Sequence, residues 1–340
     1  MKDLTKGKPS SLILSFAFPI FLANLLQLTY SLADTRIVGS FLGEDALAAV
    51  GSTSTVSNLI IGFLLGLANG FAIITAQRFG AKDIKGMKKS FAASILLGTG
   101  ISIVLTVLGM IFKNTLLGFL NVPHNLYGEA GAYIFIIIAG MTATFLYDSC
   151  AAVLRSLGDT ITPLIILLVS VALNITGDLF FVVVLKSGVR GAAIATVLAQ
   201  IIAFVICFVY MFKKYEILRL TKSDFTALDC NLVRNMLGSG LSMGFMSSLV
   251  NIGSLTLQTA INKLGQDIIV AHTAARKISE MFMIMFTVFG QTMATYCGQN
   301  MGAGRIDRVK TGIKSALIYT CSWCVLTVIA SYTIGDWLVY

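Results

Sequence analysis

Charged side chains are scarce in this sequence. Asp, Glu, Lys and Arg make up only 12% of its 340 residues, whereas an average soluble domain contains about 25%. Such a deficit excludes an ordinary water-soluble globular protein. Hydrophobic residues take the place of the missing charges: they account for 56% of the chain and give it a mean hydropathy of +0.85. The composition therefore predicts a protein that lies largely within a membrane.

Histidine is also rare, and this restricts the chemistry that the chain can perform. The two histidines, His124 and His272, are far apart in sequence, and neither has a neighbour that completes a Ser/His pair or an HExxH motif. Cys321 and Cys324 form a CxxC within an apolar segment, where packing explains them better than redox or zinc chemistry. The sequence thus predicts no enzyme, no cofactor, and no metal site beyond one for Na⁺.

Long apolar runs recur along the whole chain. Each contains about 20 residues, enough to cross a ~30 Å hydrocarbon layer as a helix. The longest polar loop follows Phe212 and divides the chain into a first lobe of six helices (1–212), a cytoplasmic linker (213–234) and a partial second lobe of three helices (235–340). The sequence thus predicts an all-α polytopic membrane protein with nine transmembrane helices, at 12–38, 47–76, 91–112, 130–152, 161–184, 191–212, 235–261, 268–294 and 313–335.

Lysine and arginine are distributed unevenly between the loops. Eighteen of the 25 basic residues lie in the N-terminal segment and in every second loop after it. Because loops rich in Lys and Arg stay in the cytoplasm, the pattern predicts a cytoplasmic N-terminus in a multi-pass protein of the plasma (inner) membrane. The net charge of +9 is then a signal of topology, and it does not indicate a nucleic-acid partner.

Two pairs of segments indicate an internal repeat. FLGEDALAAV (41–50) resembles KLGQDIIVAH (263–272), and AQRFGAKDIKGMK (76–88) resembles GQNMGAGRIDRVK (298–310). Both pairs have the same offset in the numbering, 222 (263 − 41 and 298 − 76). An even number of predicted helices lies between equivalent positions, so the halves share one orientation and are related by an axis along the membrane normal. Two complete repeats need a longer chain than this one, and we therefore expect a fragment that lacks about three transmembrane helices of its second half.

Several segments resemble transporters of the multidrug and toxic compound extrusion (MATE) family, in particular its bacterial NorM- and DinF-like branch. They are FAFPIFLANLLQLTYSLADTRIVGSFLGEDALAAVG (16–51), RSLGDTITP (155–163), LNITGDLFF (173–181), GVRGAAIATV (188–197) and GQNMGAG (298–304). The resemblance implies two six-helix lobes around a central cavity, and we expect a monomer in the lipid bilayer. It also implies an antiporter that exports small organic molecules, often cations, in exchange for H⁺ or Na⁺ by alternating access.

A lipid-linked oligosaccharide flippase of the same superfamily is the alternative function, because it shares this architecture. Such a flippase is expected to line its cavity with Arg or Lys, which bind the pyrophosphate of its substrate. The predicted spans of this chain are nearly free of both residues. Their scarcity favours the export of organic cations.

Two acidic residues are predicted to lie inside the membrane at the same depth. Asp34 lies eight positions before Leu42 of an outer loop, and Asp178 lies eight positions before Lys186, which is ~12 Å at a rise of about 1.5 Å per residue. Asn174 lies one turn below Asp178 on the same helix face, and Thr196 of the next helix is ~9 Å deep. A charge at the centre of a membrane helix costs ~2.5–3.5 kcal/mol, so such acids indicate function.

These side chains suit a small cation. Carboxylate, amide, hydroxyl and carbonyl oxygens are the ligands that hard cations accept, and two carboxyl groups in a low-dielectric pocket can share one proton. The resemblance to MATE transporters implies that Asp34, Asn174, Asp178 and Thr196, with the carbonyl group of Ala192, couple transport to H⁺ or Na⁺. A polar cluster that only holds the helices together is the alternative.

Two further features are candidates for a role in transport. Asp148 lies within about two turns of Arg155, which predicts a polar contact or a gate on the cytoplasmic side. The segment EMFMIMFTVFGQTM can hold flat cations through dispersion and cation–π contacts, although lipid-facing residues explain it equally well. The candidate residues of this substrate cavity are Met281, Phe282, Met285 and Phe289.

Glycines recur at a spacing of four in two predicted helices. They are Gly62, Gly66 and Gly70 in the second helix and Gly240 and Gly244 in the seventh. Because a GxxxG spacing allows two helix backbones to approach closely, we expect these glycines at a helix contact within the chain rather than at a dimer interface.

Overall fold

A computed structural model describes residues 2–120, 122, 126–226, 229–261 and 266–339. Within these residues the chain folds into eleven α-helices, and no strand occurs. The prediction of an all-α fold is therefore confirmed. His124 and the repeat positions Leu264 and Gly265 lie outside the described residues, and for Asp267 and Ala271 only the helical backbone is described.

Seven helices in the described part of the chain are long and apolar enough to cross a membrane. Many of their large apolar side chains are exposed on the outer surface, as expected of a multi-pass membrane protein whose helices face lipid. The seven are α1 (Pro9–Leu42), α2 (Glu44–Gly80), α3 (Ile84–Ile111), α5 (Tyr127–Ser156), α6 (Ile161–Asp178) with the π-helical segment Leu179–Val184 that continues it, α7 (Gly188–Lys214) and α11 (Ile306–Val339).

The other two predicted spans are also helical. The spans 235–261 and 268–294 fall within α9 (Cys230–Ile261) and α10 (Gln266–Gly302), which are not among the seven. The shorter pieces lie in segments that the sequence predicted to be loops; they are α4 (Lys113–Phe119), a 3₁₀ turn (Glu216–Leu218) and α8 (Lys222–Thr226).

The start of α3 shows why some helices are longer than their apolar runs. The sequence predicted this helix from residue 91, but it begins at Ile84. The Asp83 side chain caps it by accepting a hydrogen bond from the Gly86 N–H at 2.8 Å, which satisfies one of the free donors at a helix start. The lysine-rich stretch 85–89 therefore belongs to the helix and not to the preceding loop.

The long helices that precede the linker pack around α2 and α5. Helix α5 packs against α2, α3 and α7, while α6 packs against α7 and α1. Leu67 and Phe71 of α2 pack with Ile134 and Phe145 of α5, and all four side chains are fully buried. Because lipid is as apolar as these side chains, close packing holds them together in a membrane. The boundaries of the predicted lobes and linker stay a prediction.

Helix α9 packs against α2 along a seam of glycines. A Cβ atom on Gly66 would lie 2.6 Å from the Met243 carbonyl oxygen, and one on Gly70 would lie 2.5 Å from the Ser239 carbonyl oxygen. The Ser239 hydroxyl also donates to the Gly70 carbonyl at 2.9 Å. The two backbones are thus in direct contact, as the GxxxG spacing predicts.

Helix α10 brings the two halves of the repeat into reciprocal contact. A Cβ atom on Gly80 would overlap the Gln299 carbonyl group, and one on Gly302 would overlap the Gln77 carbonyl group. Gly80 and Gly302, like Gln77 and Gln299, are equivalent positions of the repeat. This contact lies on the N-terminal face, which we define as the membrane face that carries residues 2–8.

Candidate cation site

Three helices bring the predicted polar residues to one place. Asp34 lies on α1, Asn174 and Asp178 lie one turn apart at the end of α6, and Thr196 lies on α7. Asn174 and Asp178 are only 2% and 0% exposed. Directly after Asp178 the helix changes to π geometry, which is rare and frequently occurs at functional sites.

Thr196 is the centre of the hydrogen bonds in this group. The Asn174 Nδ2 atom donates to Thr196 Oγ1 at 3.2 Å, and the Tyr30 hydroxyl lies 3.3 Å from the same oxygen. The Oδ1 atom of Asn174 is buried and has no hydrogen-bond donor. The amide therefore has one oxygen available to a cation.

The two acids form the most polar part of the site. The carboxyl groups of Asp34 and Asp178 are close enough to interact directly. Oδ1 of Asp34 and both carboxylate oxygens of Asp178 are buried without a hydrogen-bond partner. None of the ion pairs in the described part of the chain involves either acid. Because two ionised carboxylates offer only acceptors, a shared proton or a bound cation is needed to join them.

Small residues allow α6 and α7 to approach each other at this site. A Cβ atom on Gly177 would lie 3.1 Å from the Cβ atom of Ala195, and one on Gly191 would lie 3.0 Å from the Cβ atom of Phe181 in the π-helical segment. Ala192, whose carbonyl group the family resemblance assigned to the site, is 1% exposed and lies one turn before Thr196.

Two tyrosines belong to the site in addition to the predicted residues. Tyr30 lies one turn before Asp34 on α1, and this spacing of four was a signal that sequence reasoning could have used. Tyr133 of α5 is 9% exposed and interacts electrostatically with Asp34, Tyr30 and Asp178. No sequence pattern indicated Tyr133, because its position depends on how α5 is rotated against α1.

Asp148 lies apart from the acid pair. It is on the same helix as Tyr133 but about four turns further on, roughly 22 Å along the axis. It interacts electrostatically with Arg155, although no ion pair joins the two residues within the described part of the chain. The Nη2 atom of Arg155 instead donates to Asn69 Oδ1 of α2 at 3.3 Å. A role for Asp148 as a contact or gate stays a prediction.

The four candidate substrate residues on α10 do not share one cavity. Met285 and Phe289 line an open groove of about 790 Å³ between α1, α10 and α11. Phe289 stacks on Tyr319 of α11, with ring centroids 6.0 Å apart. Phe282 instead packs against the ring of Trp323, and Met281 is exposed on the outer surface.

The described residues contain no group of three or more His, Cys, Asp and Glu side chains that could bind a metal ion. The site around Asp34 and Asp178 instead offers carboxylate, amide and hydroxyl oxygens. Hard cations take oxygen ligands and tolerate a mixture of carboxylate, amide and hydroxyl groups.

Comparison with known proteins identifies relatives of the chain. The MatE family model matches residues 19–180 and 242–340, and the starts of these two segments are separated by nearly the repeat offset. The probable multidrug resistance protein YpnP of Bacillus subtilis is 30% identical over 311 residues, which cover 90% of this chain and 68% of YpnP. For the probable multidrug resistance protein YoeA of the same organism, the identity is 29% over 320 residues, which cover 91% of this chain and 68% of YoeA.

A solved structure shares the fold. A MOP superfamily transporter from Pyrococcus furiosus superposes with a TM-score of 0.91 at 22% sequence identity. The match covers 99% of this chain and 74% of the archaeal protein. At this level of identity the likeness concerns the fold alone.

Proposed function

The chain belongs to the MatE family, and on this premise we propose that it is an antiporter which exports organic cations in exchange for H⁺ or Na⁺. The observation that carries the proposal is the acid pair. Asp34 and Asp178 interact directly at a buried site, and their buried oxygens have no donor. Leaving buried acceptors unpaired costs ~1–3 kcal/mol each, so a permanent structural role is a poor explanation for them.

The coupling ion acts by changing the charge of this site. When both carboxylates are ionised, their negative charges repel each other, and it is costly to bury them. A proton shared by Asp34 and Asp178 removes one negative charge. A Na⁺ ion bound by their oxygens, with Oδ1 of Asn174 and the hydroxyl of Thr196, has the same effect. Helix α1 can then close on α6 and α7 around a site that carries less charge, which links ion binding to alternating access.

The distribution of basic residues supports a cytoplasmic N-terminal face. The acid pair then lies in the outer half of the plasma (inner) membrane, where it can load ions from outside. An impermeant thiol reagent added to intact cells should label Lys186→Cys, in the loop before α7, but not Lys85→Cys at the start of α3. The reverse labelling would overturn this orientation.

Organic cations are the substrate class that the charges of the chain favour. The acid pair carries negative charge, and the side chains that line the groove beside Met285 and Phe289 include aromatic rings and no basic residue. The relatives YpnP and YoeA are named probable multidrug resistance proteins. A lipid-linked oligosaccharide flippase is the alternative, and it would need basic side chains for a pyrophosphate.

Transport into proteoliposomes tests the proposal. Ethidium should be moved by the purified protein when a pH or Na⁺ gradient is imposed, and Asp34→Asn should lower the initial rate by about tenfold or more. Asp45→Asn is the matched control, because it makes the same change in an exposed acid of the first turn of α2. Normal, gradient-dependent rates in Asp34→Asn would overturn the site. Movement of a fluorescent polyprenyl-pyrophosphate lipid, without any ethidium transport, would favour the flippase.

A further inference from the structure

Residues 2–8 lie across the contact between the two halves of the repeat. The Lys2 N–H donates to the Gly158 carbonyl, after the end of α5, at 3.2 Å. Leu4 is 1% exposed and packs with Phe16 of α1 and Val288 of α10. The segment is thus attached to helices on both sides of the linker.

Gln299 of α10 connects this segment to both halves at once. Its Oε1 atom accepts from the Leu4 N–H at 3.0 Å, and its Nε2 atom donates to the Ser156 carbonyl of α5 at 2.7 Å. The neighbouring Asn300 donates from Nδ2 to the Leu4 carbonyl at 3.2 Å. All these bonds are buried, where an unpaired amide would be costly.

Two arginines of the second half hold the carbonyl groups of the segment. Arg305 donates from Nη1 to the Thr5 carbonyl at 3.0 Å. Arg308 donates from Nη1 to the Gly7 carbonyl at 2.9 Å and from Nη2 to the Leu4 carbonyl at 3.2 Å. Its Nε atom donates to Oδ1 of Asn300 at 3.0 Å. Hydrogen bonds from charged donors are roughly twice as strong as neutral ones.

In the described part of the chain, the equivalent side chains of the first half of the repeat do not hold the linker in this way. Gln77 and Arg78 are the repeat equivalents of Gln299 and Asn300. Arg78 pairs with Asp83 in its own loop at 3.2 Å, and within the described residues no hydrogen bond joins Gln77 or Arg78 to the linker. The contact between α10 and the N-terminal segment is therefore not repeated between α2 and the described part of the linker.

We propose that residues 2–8 are an N-terminal latch that keeps the N-terminal face closed. The latch joins Gly158 of the first half to the Gln299 and Arg308 region of the second half, beside the direct bond from Gln299 to Ser156. This face can therefore separate only after the latch is released. The inference rests on the proposed alternating access. Because the bonds are made to backbone carbonyls, the latch depends on Arg308 and on the register of the segment more than on its exposed side chains.

Distances between spin labels test the latch without measuring transport. Lys85→Cys and Asp307→Cys place labels at exposed, repeat-equivalent positions on the N-terminal face, in a background without the native cysteines. Arg308→Gln should raise the ratio of open to closed populations by about tenfold. Leu4→Ala should shift the ratio in the same direction, because it removes the buried anchor and leaves the arginine intact. Lys6→Gln is the control, since its side chain is 74% exposed and pairs with Asp3 of its own segment.

The outcomes separate the latch from the proposed function. If pH or Na⁺ changes the distances but Arg308→Gln and Leu4→Ala do not, the latch is wrong while alternating access survives. If both variants open the face but neither ions nor ethidium changes the distances in any protein, the latch holds and ion-coupled exchange is wrong. An equal opening by Lys6→Gln would also overturn the latch, because it would show a general loosening of the N-terminus.

Discussion

At the scale of single residues, Thr196 organises the cation site. Its hydroxyl oxygen is bonded to Asn174 Nδ2 and lies within bonding distance of the Tyr30 hydroxyl. These two contacts fix side chains from α6 and α1 relative to α7. The position of Asn174 in turn determines whether its free oxygen faces a cation, so the hydroxyl of Thr196 acts through its neighbours.

Replacing Thr196 by Val and by Ser distinguishes the hydroxyl from the shape of the side chain. Thr196→Val keeps the shape but leaves Asn174 Nδ2 without its acceptor, which costs ~1–3 kcal/mol. We expect a lower melting temperature and a gradient-driven ethidium rate reduced by about tenfold. Thr196→Ser keeps the acceptor and should retain most of the rate. Equal rates in the two variants would mean that the hydroxyl does not organise the site.

Asp159 makes the stability of the loop between α5 and α6 dependent on pH. It accepts from the Thr162 N–H at 3.0 Å, the Thr162 hydroxyl at 2.6 Å and the Tyr215 hydroxyl at 2.5 Å. Burial raises the pKa of its carboxyl group, but the bonds from Thr162 and Tyr215 outweigh burial, and the pKa lies below its ordinary value. The folded protein therefore stabilises the ionised carboxylate of Asp159 relative to its protonated form.

A depressed pKa in the folded state stabilises the protein above the unfolded pKa of about 3.9. This stabilisation is lost as the pH falls through the folded pKa. We expect the melting temperature of the parent to fall more steeply below about pH 4 than that of Asp159→Asn. Tyr215→Phe removes one bond and should give an intermediate slope. Parallel curves for the three proteins would show that Asp159 does not contribute to acid sensitivity.

Sequence reasoning was most successful for residues whose depth can be counted along a helix. Asp34 and Asp178 share a depth because each lies eight positions before a residue of an outer loop, Leu42 or Lys186, and the structure brings them together. Met281 and Phe282 show the limit of this method. They share a helix with Phe289, but its rotation directs them to the outer surface and to Trp323, and the sequence does not contain that rotation.

At the scale of helices, the contact between α2 and α9 differs from its repeat equivalent. Gly66 and Gly70 allow the backbones of α2 and α9 to touch. Their repeat equivalents on α10 are Val288 and Thr292, and α10 packs less extensively against α1 than α2 does against α9. The groove of about 790 Å³ lies on this second side. One contact between the halves is therefore tight and the other is loose.

This difference predicts unequal effects of adding a methyl group. Gly70→Ala would place a Cβ atom 2.5 Å from the Ser239 carbonyl oxygen, so the backbones must separate. We expect a loss of ~1–3 kcal/mol, as is usual when a packed contact is overfilled, seen as a lower melting temperature in detergent. Gly51→Ala on the same helix is the control, because no atom lies within 4 Å of its added Cβ. Equal melting temperatures would mean that the seam can relax.

Helix boundaries were harder to predict than helix positions. All predicted spans coincide with helices, because apolar runs of this length must be helical in a bilayer. The predicted start of α3 was too late, because the first two turns of the helix are rich in lysine and do not look like a membrane span. The cap by Asp83 marks the true start. The π-helical segment after Asp178, which packs against α7, has no sequence signal of this kind.

At the scale of the whole molecule, the repeat explains how the N-terminal face is closed. The segments around Gly80 and Gly302 match at the repeat offset, and the structure places each glycine against the backbone of the other half. Such a contact is isologous, because the same surface is used on both sides. The N-terminal latch was not predicted. Among the described residues it has no equivalent in the second half, and its sequence alone resembles a basic tail.

The reciprocal contact predicts that Gly80→Ala and Gly302→Ala have the same effect. Each added methyl group overlaps a carbonyl of the opposite helix, that of Gln299 in one case and that of Gln77 in the other. Either change must push α2 and α10 apart on the N-terminal face. We expect both variants to lengthen the distance between labels at Lys85→Cys and Asp307→Cys by a similar amount, with Gly51→Ala unchanged.

The double variant provides the sharper test of this symmetry. Once one methyl group has separated α2 from α10, the second glycine no longer touches its carbonyl, and a second methyl group adds little. Residues that share one contact give effects that are not additive, whereas distant and independent sites add within about 0.5 kcal/mol. We therefore expect Gly80→Ala with Gly302→Ala to open the N-terminal face no further than either change alone. Additive opening would show that the two glycines act at separate contacts, and that the repeat does not close this face through a single crossing of α2 and α10.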